Sequence, residues 1–324
     1  MRREEMKKET SSILKYLLGF LVGIMVGHLN PPISTEGTET ASKGVHVQLN
    51  INKNDDNNNE VSKIELPLAV KDLIINIGSN LDPILPDPSL GPCARTIAVE
   101  PIVGCKIIPH PQLDVLNAAI AGSPSIATMK IYNSNGVSSS LADPASTQNW
   151  NNNAKRGDGE RRIVPVVSMK SFLLAIPDHA TIQHLRTDMQ GFDFAAVSSA
   201  GPELLAKVAI LETEVWKDDV MTYAAHNDLC RDWYPFMTKL GYKYHSYDCK
   251  VTPDKIASYC QAQLERSPER PPLATSSGLR ECNAVWVKQG HTLSSQKPYV
   301  GYNIRNAVAQ HRFTDEEYKQ CQFE

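Results

Sequence analysis

Residues His184–Phe194 read HLRTDMQGFDF, and they share a grammar with two earlier stretches, LIINIGSN at Leu73–Asn80 and TIAVEP at Thr96–Pro101. Each opens as a short apolar or β-prone run and stops at a small or acidic residue. Strands of a parallel α/β sheet read this way, because they are buried along their length and carry ligand-binding groups at their C-terminal edges. Outward from these three runs the chain alternates strand-like and helix-like segments. Asp114–Ile120 is expected as a third strand, Ile126–Tyr132 as the first arm of a β excursion and Ile163–Val167 as a continuation of the sheet. Met169–Ile176 is a helix or a strand that stops at Pro177, and Val208–Val215 is another strand. Leu229–Leu240 reads as an amphipathic helix ended by Gly241. Tyr242–Tyr247 and Cys282–Lys288 alternate as a terminal antiparallel hairpin would. Asp82–Pro83 has the form of a cap and first-turn proline opening a short helix.

Two observations at the strand ends point to chemistry. Gly78 ends the first strand, where a residue without a Cβ lets backbone approach a ligand closely. Glu100 ends the next strand 22 positions on, and an acid about 20 residues after such a glycine accepts ribose hydroxyls in nucleoside-binding α/β folds. Asp188 closes an apolar strand with Gly191 behind it. A carboxylate there costs several kcal/mol unless it is paired or used. Glu212 and Glu214 alternate in ILETEV and so share one face of their strand. By themselves they read as salt-bridged strand-end groups.

In order and spacing these motifs resemble the FkbM family of S-adenosylmethionine-dependent methyltransferases, over roughly Asp72–Lys288. The resemblance implies a Rossmann-like class I methyltransferase fold: a mostly parallel α/β sheet with a terminal antiparallel hairpin. It implies S-adenosylmethionine as cofactor, held by Asn76, Gly78, Asn80 and Glu100, with Asn117 and Ala118 beside the adenine, and no metal. Asp188 would be the catalytic base for transfer to a hydroxyl, with His179 or His184 as the alternative, and one of Glu212 and Glu214 would line the acceptor site, a reading that stands equal with the salt-bridged one. The chain departs from the family pattern at Asn76 (usually Asp), Asp82 (usually Gly), Gln190 (usually Glu) and Asp193. These departures support a rival reading, a methyltransferase fold kept as a binding or scaffold module. A type II Golgi glycosyltransferase is a third reading, weakened by the lack of any Asp-x-Asp.

The rest of the chain sets the context. Its 324 residues are 41% hydrophobic and 21% charged, enough for one sizeable domain with appendages. A net charge of −3 leaves no footprint for nucleic acid. Ser11–Leu29 is an apolar run of roughly 28 Å as a helix, long enough for a bilayer core. Arg2, Arg3, Lys7 and Lys8 precede it, which places residues 1–10 in the cytosol. A retained signal anchor and a cleaved signal peptide both fit, and the absence of an A-x-A site favours the anchor. Gly19, Gly23 and Gly27 line one face of that run and would let two anchors pack as a homodimer, although glycine is common in membrane helices anyway. Residues 30–65 form a polar stem, and 66–324 the methyltransferase-like domain. A second polar insert, Asp143–Arg162, reads as a loop, and its Arg156–Asp158 RGD reads as a chance tripeptide. This layout makes the chain a type II protein of the ER or Golgi with a lumenal domain acting on a small-molecule or glycan acceptor. The seven cysteines have no zinc-ligand spacing; Cys230 with Cys249 is the expected bridge if any forms, and buried free thiols are the alternative.

Overall fold

The computed structural model describes residues 63–102, 106–131, 139–141, 160–217, 225–246, 248–269, 281–291, 299–301 and 313–321, all within one compact unit, Gly44–Glu324. The expected anchor at 11–29 with its glycine face, the stem up to residue 62, the RGD tripeptide and Cys105 lie outside the described residues. Among the described residues no helix is long and apolar enough to cross a membrane.

Seven strands form the main sheet: β1 (Asp72–Ile77), β3 (Arg95–Val99), β4 (Leu113–Leu116), β8 (Thr181–Thr187), β9 (Val208–Trp216), β10 (Tyr242–Ser246) and β11 (Glu281–Lys288). Their order is β10-β11-β9-β8-β1-β3-β4. The five strands β4, β3, β1, β8 and β9 run parallel, and β11 lies antiparallel between β9 and β10. This arrangement fits a methyltransferase fold. The parallel strands are almost wholly buried, as runs such as Leu73–Ile75 and Ile97–Val99 require. One face packs Leu73, Ile75, Ile77, Ile97, Val99, Leu185 and Leu211 against Phe172 and Leu173 of helix α1 (Met169–Ala175) and Ala196 and Val197 of helix α2 (Asp193–Ser199). Ser168 caps α1 by accepting from Ser171 N, which settles that segment as a helix. Alternate residues of the same strands put Asn76, His184, Arg186, Glu212 and Glu214 on the other face.

Several expectations are corrected. The run Asp114–Ile120 is two strands: β4 ends at Leu116, and β5 (Ala119–Ala121) joins a separate three-stranded sheet with β6 (Ser125–Ile131) and β7 (Glu160–Ser168), in the order β5-β7-β6. The break comes at Asn117, where Ala118 N donates to Leu116 O at 3.0 Å and closes a three-residue turn. Ile163–Val167 therefore belongs to the small sheet, and Glu160–Arg162, expected in a loop, are the first residues of β7. Asp82–Pro83 opens no helix. A strand, β2 (Ile84–Pro86), follows, paired with β12 (Tyr299–Gly301), and the one-turn 3-10 helix Pro88–Leu90 is capped by Asp87 instead. The segment from Leu229 opens with a π-turn over Leu229–Trp233 before helix α4 (Tyr234–Lys239); α3 is the short turn Pro202–Leu205. Strands β10 and β11 do pair, but helix α5 (Ile256–Arg266) lies between them in sequence.

Cys230 bonds to Cys260, not Cys249. Cys249 bonds to Cys282, and Cys93 to Cys321 across 228 residues. Cys230 lies in the π-turn and Cys260 on α5, so their pairing staples the two together. Spacing along the chain carries no information about that contact.

Candidate active site

The strand order reverses between β1 and β8, and a cleft of about 670 Å3, counting its open mouth, lies at the C-terminal ends of β1, β3 and β8. Parallel α/β sheets bind ligands at such a switch point. One wall is apolar: Ala118, Ala119 and Ile120, then Met129 from β6, with Leu141 and Phe192. The other is polar, with Gly78, Asn80, Glu100, Ser139, Asp188 and Gln190.

Backbone geometry explains the residue types. Gly78 has φ +73°, and a β-carbon there would land on the carbonyl oxygen of Asp188. Asp188 N donates to Ile77 O and Gly78 N to Val99 O, so the three strand ends are tied side by side. Glu100, 5% exposed, spans the turn after β1. Its Oε2 accepts from Asn80 N at 2.9 Å and its Oε1 from Ile102 N at 2.7 Å. Asn80 is itself in the left-handed region, φ +50°.

Asn76 behaves differently. It is fully buried outside the cleft lining, and its Oδ1 accepts from Ile84 N at 3.0 Å, fixing the start of β2. Asn117 is exposed and also outside the lining, whereas its neighbour Ala118 is part of it. The structure thus gathers Gly78, Asn80, Glu100, Ala118 and Asp188 in one cleft and leaves Asn76 and Asn117 out. Neither candidate histidine is there. His179 precedes β8 at the opposite edge of the sheet, and His184 is buried in mid-strand with its Nε2 3.3 Å from Glu212 Oε2.

Acidic groups crowd the C-terminal end of β8 and β9. Asp188 Oδ1 accepts from Gln190 Nε2 at 2.7 Å, and the same nitrogen lies 3.3 Å from Glu214 Oε2. Arg186 Nη2 is 3.6 Å from Asp188 Oδ2, and its Nε is 3.6 Å from Glu212 Oε1. Burial, reinforced by Asp188, Glu281 and Asp193, holds Glu214 well above the ordinary carboxylate range, with Arg186 opposing. Asp193 is pushed up to about 7, by burial first and then by Asp188, while its carboxylate accepts from Met189 N. Sequence reasoning missed Arg186, Ser139, Met129 and Leu141. The last two come from or beside the β6 excursion, where only alternating burial in ATMKI hinted at a second wall.

The family model of the methyltransferase FkbM domain matches residues 48–244. The chain is a member of that family. No curated protein and no solved structure matches it. The FkbM match runs from before β1 into β10, and so contains every strand end that builds the cleft. It ends before α5, β11 and four of the six bonded cysteines, Cys249, Cys260, Cys282 and Cys321; the Cys93–Cys321 and Cys230–Cys260 bridges tie the later segment to the matched region, and Cys249–Cys282 lies wholly beyond it.

Proposed function

We propose that this FkbM protein transfers a methyl group from S-adenosylmethionine to a hydroxyl oxygen, with Asp188 as the base. The observation that carries the reading is the cleft's position, at the reversal of strand order with Glu100 pinned at its mouth. The residues present fit the cofactor. The wall of Ala118, Ala119 and Ile120 suits a flat base, and the Glu100 carboxylate lines the same cleft, where a strand-end acid can accept from ribose hydroxyls. When bound, the cofactor supplies an electrophilic methyl on a sulfonium.

The chain's own part is positional and acid–base. Glu100 and the turn at Gly78–Asn80 would fix the nucleoside, and the apolar wall would exclude water from the ring. Asp188 Oδ would take the proton of the acceptor hydroxyl as its oxygen forms the new C–O bond and sulfur keeps the electron pair. Most of the rate gain would come from holding oxygen, carbon and sulfur in line.

The three disulfides support an oxidising compartment, in keeping with the lumenal placement expected from Ser11–Leu29 and with a glycan or other secretory-pathway acceptor. Membership of the FkbM family sets the glycosyltransferase reading aside. Calorimetric titration of the full-length chain with S-adenosylmethionine tests the function. One-site binding with micromolar or tighter affinity is expected. A folded chain that takes up no cofactor would overturn the reading in favour of a scaffold module.

A further inference from the structure

We infer that Gln190 is a positioning residue: its amide fixes the Asp188 carboxylate in one orientation and stands as a neutral spacer between Asp188 and Glu214. The inference rests on the methyl-transfer reading of Asp188 given above. Gln190 Nε2 carries two N–H groups and reaches an oxygen of each acid, at 2.7 and 3.3 Å. The other Asp188 oxygen faces Arg186. The carboxylate is therefore gripped from both sides, and its rotation about the side-chain bond is removed.

The backbone is built to present this amide. Gln190 sits at φ +52° and Gly191 at φ +94°, two successive left-handed residues. A non-glycine residue there is strained and persists only where its surroundings enforce it. Ser140 Oγ donates to Gln190 O at 2.8 Å, and Asp193 accepts from Met189 N, so the turn is pinned on both sides. The charge around the site gives the spacer its purpose. Facing Asp188 and Glu214 are Arg186 from β8, Glu212 from β9 (itself against His184), Asp193 at the start of α2 and Glu281 from β11. Among the described residues Arg186 is the cation set against these acids. A carboxylate at position 190 would place a third acid directly between two others, and like charges this close disfavour each other's ionisation. A neutral donor avoids that and still makes the hydrogen bonds.

The test uses the full-length chain labelled with carboxyl-13C aspartate and glutamate, titrated by NMR, with Asp188→Asn and Glu214→Gln assigning the two signals. Gln190→Glu and Gln190→Met are compared with the parent. Both keep a side chain of similar length at a position that already tolerates a non-glycine residue. Gln190→Glu is expected to move the pair's titration upward by about one pH unit, tenfold in proton affinity. Gln190→Met is expected to move it less and to broaden the Asp188 signal, because the grip on Oδ1 is gone. S-adenosylmethionine affinity is measured on the same samples. If the parent binds cofactor but the pair titrates identically in parent and both variants, the positioning role is overturned and the proposed function stands. If the pair responds as expected but the parent binds no cofactor, the proposed function falls alone.

Discussion

Gly78 and Asp188, 110 residues apart in sequence, meet backbone to backbone: the space where Gly78 lacks a side chain is filled by the carbonyl of Asp188. That contact binds the glycine turn after β1 to the acidic end of β8. Gly78→Ala must both adopt φ +73° and displace a carbonyl held in the sheet. We expect a loss of about 2–5 kcal/mol, seen as a fall in melting temperature on the order of 5–15 °C, with cofactor binding abolished. A variant melting with the parent would show that the two strands can part at no cost.

Glu100→Ala should weaken S-adenosylmethionine binding by roughly 10- to 150-fold, the loss of about 1.5–3 kcal/mol of charge-assisted hydrogen bonding. The structure adds a second effect. Two backbone N–H groups, of Asn80 and Ile102, lose their acceptor, so the variant should also melt earlier. Calorimetry well below the melting temperature separates the two. Unchanged affinity there would confine Glu100 to holding the turn.

Much of this was legible beforehand. Gly78, Glu100 and Asp188 stood out because strand ends leave a local mark, an apolar run cut off by a small or acidic residue. Asn76 and Asn117 were misplaced for reasons that are not local. Asn76 lies within β1 and turns its amide to β2, and Asn117 falls at the break between two sheets. The face a side chain takes depends on register and on what covers the strand. Arg186 was missed because a lone arginine in LRT looks like any solvated charge until Glu212 arrives from β9 in register with it. The stapling by Cys230 and Cys260 was hidden for the same reason.

Asp188→Asn keeps the shape of the side chain and removes its charge. If Asp188 is the proton acceptor, turnover should fall about 10²–10⁴-fold, with cofactor affinity changed far less. Turnover at the parent rate would remove Asp188 from the mechanism. Neither His179 nor His184 lines the cleft to take its place.

Asp193 makes stability depend on pH. Its folded value is about 7 against an ordinary 3.8, so the folded chain keeps a proton that the unfolded chain gives up. Between those values stability falls as pH rises, and above about 7 the loss is complete, up to about 4 kcal/mol. Asp193→Asn should flatten that part of the curve. Urea unfolding of both proteins at pH 5, 6, 7 and 8 measures the difference, and parallel curves would refute the assignment.

Reduction should destabilise the domain strongly. Closing the 228-residue loop between Cys93 and Cys321 is worth on the order of 5 kcal/mol in the chain-entropy picture. A melting temperature indifferent to reductant would exclude that bridge.

The same bridge imposes a schedule on biogenesis. At about 5–20 residues per second, the ribosome makes Cys321 roughly 10–50 seconds after Cys93. During that interval Cys105, and then Cys230, Cys249, Cys260 and Cys282 in turn, join Cys93 on the nascent chain before Cys321 exists. The Cys93–Cys321 bond forms only after Cys321 has emerged, so maturation of this protein depends on protecting one early thiol, or on reshuffling it, until then.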